Sequence, residues 1–159
     1  MKTIKTLALC LAAALLLTAC GQPAAKNEAP APDMQKLYEQ MQTAVDMPEM
    51  APVPENRRSL ILGIEDADVR QAVTMLCGDS VRADEIWLIE AADEAAAERI
   101  EALAEQRLAQ RSREMESYLP EQYAVLQQAR LIREGRCLAL LVSPEAETLE
   151  TLFRQALQG

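Results

Sequence analysis

The sequence predicts an α+β domain in which a mainly antiparallel sheet of two hairpins has helices packed on one face. The first hairpin is indicated by apolar, β-branched runs at residues 71–77 and 85–89, separated by a turn signal at residues 78–80. The second is indicated by similar runs at residues 130–133 and 137–142. With helical segments included, the order is helix, strand, strand, helix, strand, strand, helix. This order favours helices lying on one side of an antiparallel sheet.

Helical spacing of apolar residues predicts the elements around the hairpins. Asp33 and Asp93 are each placed to cap a helix, because an aspartate carboxylate accepts hydrogen bonds from the first free backbone N–H groups. Pro120 ends or breaks the second of these helices, and Ser143 is placed to begin the last one. The predicted helices are residues 34–45, 94–118, 121–128 and 145–157.

Two segments before the first hairpin are harder to assign. Residues 59–63 fit either a short strand or a helical turn that ends at Gly63. Residues 47–54 contain Pro48, Pro52 and Pro54, and proline removes a backbone donor and fixes φ. We therefore expect residues 47–54 to lack regular structure.

The composition indicates an aliphatic core and an acidic surface. Half of the 159 residues are apolar but only 3% are aromatic, so Leu, Ile, Val, Met and Ala must form most of the core. All 25 acidic residues follow Cys20, whereas Lys2 and Lys5 precede it. The chain from Cys20 onward therefore carries 14 basic against 25 acidic residues, a net charge of −11. Such a surface repels nucleic acid, so no nucleic-acid partner is expected.

The amino terminus has the architecture of a secretory signal peptide. Lys2 and Lys5 precede an apolar run at residues 7–17, and the small residue Ala19 precedes Cys20. About 11 apolar residues are too few to span roughly 30 Å of hydrocarbon, so this run is not expected to be a transmembrane helix. An ordinary signal peptide followed by a chance cysteine is the simplest alternative.

Residues 17–20 resemble the bacterial lipobox, whose cysteine thiol receives a diacylglycerol before the chain is cut in front of that cysteine. The resemblance implies that Cys20 becomes the acylated amino terminus. Residues 1–19 are then a signal peptide, the Pro- and Ala-rich residues 20–32 a flexible stalk, and residues 33–159 a single α+β domain. The expected location is the extracytoplasmic face of the cell membrane, with the membrane bound through lipid on Cys20.

Six stretches after the stalk resemble a family of uncharacterised lipoproteins, the domain of unknown function forty-three fifty-eight, found mostly in clostridia and their relatives. They are Met47-Pro48-Glu49-Met50, Gly63-Ile64-Glu65-Asp66, Ala83-Asp84-Glu85-Ile86, Glu105-Gln106-Arg107-Leu108, Tyr118-Leu119-Pro120-Glu121-Gln122-Tyr123 and Leu140-Leu141-Val142-Ser143. Together they cover most of the chain after the stalk, and their order and spacing make the resemblance specific. The resemblance favours a helical turn at residues 59–63, and it implies neither an activity nor catalytic residues.

Cys77 and Cys137 are the cysteines of the predicted domain. Export to an oxidising compartment would permit a disulfide between them, which would join the two hairpins and contribute roughly 4 kcal/mol by closing a long loop. Both residues lie in apolar runs, however, where a reduced cysteine is an ordinary small core residue. Both alternatives are open at this point.

Arg107 and Arg111 are the candidate binding residues. They lie one turn apart on the long predicted helix and therefore share a face. At roughly 100° per residue, both guanidinium groups project from an apolar stripe on the same face, which carries Ile100, Ala104, Met115 and Tyr118.

An arginine in an apolar stripe is unusual, because arginine is almost never buried without a partner. One interpretation is that Arg107 and Arg111 snorkel to the surface or pair with acids. The acids within reach are expected to be Glu114, Asp84 and Glu85. The other interpretation is a pocket for an anion, because guanidinium groups bind carboxylate or phosphate bidentately.

No residue pattern commits the chain to a reaction, a metal or a cofactor. Histidine is absent, which removes the commonest general base and metal ligand. The acidic pairs lack the spacing of a calcium loop, and no serine lies in a Gly-x-Ser-x-Gly or Ser-x-x-Lys motif. Trp87, Tyr118 and Tyr123 are expected to pack in the core.

We therefore expect a noncatalytic binding or accessory module whose partner is an unknown envelope protein or a small ligand. The competing classes are an envelope enzyme that uses carboxylates alone and a purely structural envelope protein. A carboxylate enzyme would need two acids that converge in one cleft, with environments that separate their pKa values.

Overall fold

The computed structural model of the protein describes residues 30–159. Cys20, the predicted signal peptide and residues 20–29 of the predicted stalk lie outside the described residues. The elements are α1 (Met34–Ala44), β1 (Met50–Pro52), α2 (Glu55–Leu62), β2 (Val69–Cys77), β3 (Glu85–Ala91), α3 (Glu94–Met115), α4 (Pro120–Gln127), β4 (Arg130–Glu134), β5 (Cys137–Val142) and α5 (Ala146–Gln158). Among the described residues, no helix combines the length and the apolar character needed to cross a membrane.

The strands form a five-stranded sheet in the order β1-β2-β3-β5-β4, and every neighbouring pair is antiparallel. β2 and β3 form the first predicted hairpin, with Val73 opposite Leu88. β4 and β5 form the second hairpin, and β5 lies beside β3 with Leu140 opposite Trp87. The predicted α+β class and the antiparallel sheet of two hairpins are confirmed.

Helices cover both faces of this sheet, which corrects the expectation that they pack on one face. Trp87 and Ile89 of β3 point into one core, which α2, α3 and α4 complete, and we call this the Trp87 core. Ile86 and Leu88 point the other way, into a core completed by α1 and α5 around Phe153, the Phe153 core. Because β3 and β5 are covered on both sides, residues 86–89 of β3 and all of β5 are apolar rather than alternating with polar residues.

Two helix caps, Asp33 and Asp93, lie where the sequence predicts them, whereas the last helix has Glu145 rather than Ser143 at its N-cap. Asp33 Oδ1 accepts hydrogen bonds from the backbone N of Gln35 and Lys36, at 3.0 and 3.1 Å, and the bond from Lys36 is the main cause that lowers the pKa of Asp33. Asp93 Oδ1 accepts from Ala96 N at 2.8 Å at the start of α3. These caps fix the directions in which α1 and α3 leave their loops.

The segment before β2 departs in part from expectation. Residues 50–52 form the edge strand β1, with Pro52 opposite Met75, although prolines led us to expect no regular structure there. Proline is tolerated because an edge strand has one side without ladder hydrogen bonds. Residues 59–63 are the end of helix α2, so the helical alternative is confirmed, and Gly63 caps it in the left-handed conformation with φ 75°.

The other edge strand, β4, is bordered by ion pairs to both helical layers. They join Arg133 to Glu94 and Glu101 of α3, Arg130 to Glu150 of α5, and Glu134 to Arg154 of α5. Charged side chains along an edge strand hinder pairing with a strand from another molecule.

Cys77 and Cys137 lie at opposite ends of β3. The backbone N of Cys77 donates to Asp84 O at 3.0 Å, just before β3 begins, whereas Cys137 is opposite Glu90, near the end of β3. The two positions are about 20 Å apart along the strand, and a disulfide needs Cα atoms within about 7 Å. No disulfide joins them in the described part of the chain, so the disulfide alternative is wrong.

We expect the thiols of Cys77 and Cys137 both to be alkylated when the unreduced protein is unfolded in the presence of iodoacetamide. Peptide mapping by mass spectrometry measures this, and a sample reduced before alkylation is the control. A cross-linked peptide that contains both cysteines would contradict the structure.

Gly63→Ala should lower the free energy of unfolding by about 1–2 kcal/mol, because a left-handed conformation strains a residue with a Cβ atom. The new Cβ would also lie 3.1 Å from Leu103 Cδ2. Gly78→Ala is the matched control, because its nearest contact would be Glu49 O at an ordinary 3.7 Å. Urea unfolding measures both variants, and equal effects would contradict the assignment of strain to Gly63.

Candidate functional site

The candidate site lies at the end of the sheet where β3 begins. The loop between β2 and β3, residues 78–84, meets the end of α3 and the start of α4 at this point. Ala83 N donates to Gln122 Oε1 at 2.9 Å, and this bond joins the loop to α4. Beneath the loop lie the buried acids Asp84 and Glu85 with their partly exposed arginine neighbours, which we call the charge cluster, and beside it lies an open groove.

Glu85 is the innermost acid of the charge cluster. Its side chain is 4% exposed, and its Oε1 accepts from Trp87 Nε1 at 2.7 Å and from Arg107 Nε at 2.8 Å. Arg107 Nε also lies 3.0 Å from Glu85 Oε2. A buried carboxylate is tolerated only when a cation and hydrogen bonds compensate it, and Arg107 and Trp87 provide both. The pair also ties α3 to the first residue of β3.

Asp84 and its neighbours form the outer part of the cluster. Asp84 is buried, and its Oδ2 accepts from Arg82 Nε at 2.9 Å, a bond that raises the pKa of Arg82. Arg111 donates to the backbone O of Arg82 at 3.1 Å and to Glu114 at 3.2 Å. A hydrogen bond from Gln110, with a smaller contribution from Arg111, lowers the pKa of Glu114. These bonds hold the loop against α3.

The structure confirms that Arg107 and Arg111 pair with acids, Glu85 and Glu114 respectively. Asp84, also considered as a partner, binds Arg82 instead. An anion that entered here would compete with these carboxylates for the guanidinium groups. Anion binding by Arg107 and Arg111 stays a prediction.

A groove of about 470 Å³ is open to solvent beside the charge cluster. Asp79, Val81 and Arg82 line one wall and residues 118–122 line the other. We call it the Tyr118 groove. In the described residues the strongly exposed large apolar side chains are Leu60, Val81 and Tyr118, and two of these three lie in this groove.

The aromatic residues follow the predictions only in part. Trp87 is 1% exposed and Tyr123 packs against the Trp87 core, as expected. Tyr118 was expected in the core but is 85% exposed. The physical reason is that α3 ends at Met115, before Tyr118, so the helical spacing that would direct this ring inward no longer applies.

The stalk meets the domain at the opposite end of the sheet. Gln71 Nε2 donates to Pro32 O and to Glu90 Oε2, both at 3.0 Å, and so ties the end of the stalk to the sheet. Residues 30–31 share a shallow cleft with residues 134–137 of the turn between β4 and β5. The length of β3, about 20 Å, therefore separates the stalk from the Tyr118 groove.

The site combines two buried acids that are paired with arginines and an open groove beside them. Both buried acids, Asp84 and Glu85, are held by arginine side chains. Within residues 30–159, no group of three or more His, Cys, Asp or Glu residues is arranged to hold a metal ion. The exposed part of the site is the groove, which offers apolar surface, a phenol ring and carboxylates.

Arg107→Gln should lower the free energy of unfolding by about 3 kcal/mol, because it leaves the Glu85 carboxylate buried without a cation. Arg113→Gln is the matched control, since Arg113 is exposed on the same helix, and it should change stability by less than about 0.5 kcal/mol. Adding Glu85→Gln to Arg107→Gln should recover part of the loss, which urea unfolding would show. Equal effects of Arg107→Gln and Arg113→Gln would contradict the role of the pair.

Comparison with known proteins places the site within a recognised sequence family. A family model described as a domain of unknown function (DUF4358) matches residues 43–143. The matched span contains all five strands, α2, α3, α4 and the Tyr118 groove, whereas α5 and almost all of α1 flank it. No curated protein and no solved structure matches the chain. Because the match covers more than half of the chain, the protein belongs to this family of domains of unknown function.

Proposed function

We propose that the protein is a lipid-anchored, extracytoplasmic binding module without catalytic activity. The observation that carries the proposal is the amino-terminal pattern, in which Lys2 and Lys5, a short apolar run and Ala19 lead to Cys20. Acylation of Cys20 would supply the stable anchoring that two lipid chains provide.

The position of the stalk supports this proposal. An anchor at Cys20 would hold the stalk end of the domain toward the membrane, because Pro32 is tied to Gln71 and Glu90 at that end. The Tyr118 groove lies at the other end of β3 and would face away from the lipid. A binding surface at the membrane-distal end is accessible to partners in the extracytoplasmic space.

The side chains of the groove also support a binding role. Exposed apolar side chains that cluster in a concave surface are typical of interaction sites. Val81 comes from the β2–β3 loop and Tyr118 from the turn after α3, so two separate elements present them together. The alternative of a carboxylate enzyme has less support, because arginines hold the two buried acids.

Cys20→Ala should abolish acylation and leave the chain unprocessed or released from the membrane. Intact-mass spectrometry would show the loss of the lipid mass, and detergent phase partitioning would show the loss of amphiphilic character. Cys77→Ala is the matched control and should be acylated as the wild type is. An unmodified wild-type amino terminus downstream of Cys20 would overturn the proposal.

A further inference from the structure

The Tyr118 groove presents two apolar side chains that the fold holds outward. The Tyr118 backbone N donates to Met115 O at 3.3 Å in the turn after α3. Val81 is 53% exposed, and Asp79 Oδ1 accepts from its backbone N at 3.1 Å. Local hydrogen bonds thus hold the backbone at both residues, and their side chains project into solvent. An apolar partner could cover both side chains without displacing another part of the domain.

The charges of the groove are negative in sum. Arg82 is the cation of the groove wall, and the buried Asp84 already compensates it. Asp79 and Glu121 also line the groove; Asp79 attracts Arg82 from a longer distance, and among residues 30–159 neither carboxylate lies within 4.0 Å of a cationic nitrogen. The chain as a whole carries a net charge of −9, so its field adds to that of these carboxylates and attracts cations.

We infer that the Tyr118 groove binds a basic segment of a partner protein. A lysine or arginine of that segment would lie over the Tyr118 ring, with its charge near Asp79 and Glu121. Cation–π attraction to the ring would favour this position, and the aliphatic stem of the basic residue would contact the ring edge. A neighbouring apolar residue of the segment would cover Val81.

The shape of the groove favours a protein segment over a small cation. Sites for small molecules enclose most of the ligand surface. The Tyr118 groove is open along the surface, with Val81 on one wall and residues 118–122 on the other. An extended chain can follow such a groove and contact both walls. The inference rests on the proposed function and names the partner chemistry of its binding surface.

The test uses the full chain as expressed, in a nonionic detergent, and measures fluorescence anisotropy with two labelled peptides. One peptide carries two Lys-Leu pairs separated by glycine, and the other carries glutamine in place of lysine. We expect the lysine peptide to bind about tenfold more tightly, and its affinity to fall when salt screens the carboxylates. Tyr118→Ala and the double variant Asp79→Asn, Glu121→Gln should each weaken its binding by about three- to tenfold.

Matched controls separate the groove from the general acidity of the surface. Leu60→Ala removes an exposed apolar side chain outside the groove, and Glu98→Gln with Glu105→Gln removes two charges from exposed positions of α3. Both controls should bind the lysine peptide as the wild type does. The amide introduced by Asp79→Asn keeps an oxygen that can accept from Val81 N, so the acidic double variant should retain the loop structure.

Several outcomes would overturn the inference. Equal binding of the two peptides would show that no cation is recognised, and full binding by the groove variants would place recognition elsewhere. Self-association that Tyr118→Ala abolishes, without peptide binding, would assign the groove to a second copy of this chain. Acylation of Cys20 is measured independently by mass, so failure of the peptide test and failure of membrane anchoring are distinguishable.

Discussion

The central strand β3 is buried on both faces, and each of the two helical layers packs against side chains that this strand provides. Its side chains alternate between the cores, with Trp87 and Ile89 on one side and Ile86 and Leu88 on the other. A shift of one residue would move every side chain into the wrong core, so the register against β2 and β5 is strongly specified. The loop that leads into β3 forms one wall of the Tyr118 groove. Because this loop is joined directly to β3, the register of the strand also fixes the end of the loop.

A glutamate near each end of β3 accepts hydrogen bonds from side chains of neighbouring elements and so connects these elements to the sheet. Glu85 binds Arg107 and Trp87 and so joins α3 to the sheet beside the groove. Glu90 binds Gln71 and Arg136, and Gln71 in turn holds the end of the stalk. A charge near the end of a buried strand can reach partners on several elements that compensate its desolvation, whereas a charge in the middle would have only apolar neighbours. A glutamate paired with an arginine therefore lies at both ends of the domain, Glu85 beside the Tyr118 groove and Glu90 beside the end of the stalk.

Much of the fold could be predicted from interactions between residues that are close together in the sequence. The caps at Asp33 and Asp93 and both hairpins depend on residues close together in sequence. The second helical layer was missed although β3 and β5 lack the polar alternation of strands with a solvated face. The pairing of Arg107 was foreseeable from its place on an apolar stripe. The Tyr118 groove could not be predicted in this way. It depends on the contact of Ala83 with Gln122, which are 39 residues apart in sequence, and on the end of α3 at Met115.

The edges of the sheet bear on how these molecules would behave when crowded. Anchoring by lipid would confine the domains to a thin layer, where neighbours collide far more often than in free solution. An open strand edge in such a layer could join one sheet to the next and start a fibre. β4 is bordered by arginine–glutamate pairs, and β1 is only three residues long and ends in Pro52. The domain could therefore reach high surface density on a membrane while each copy remains a separate unit.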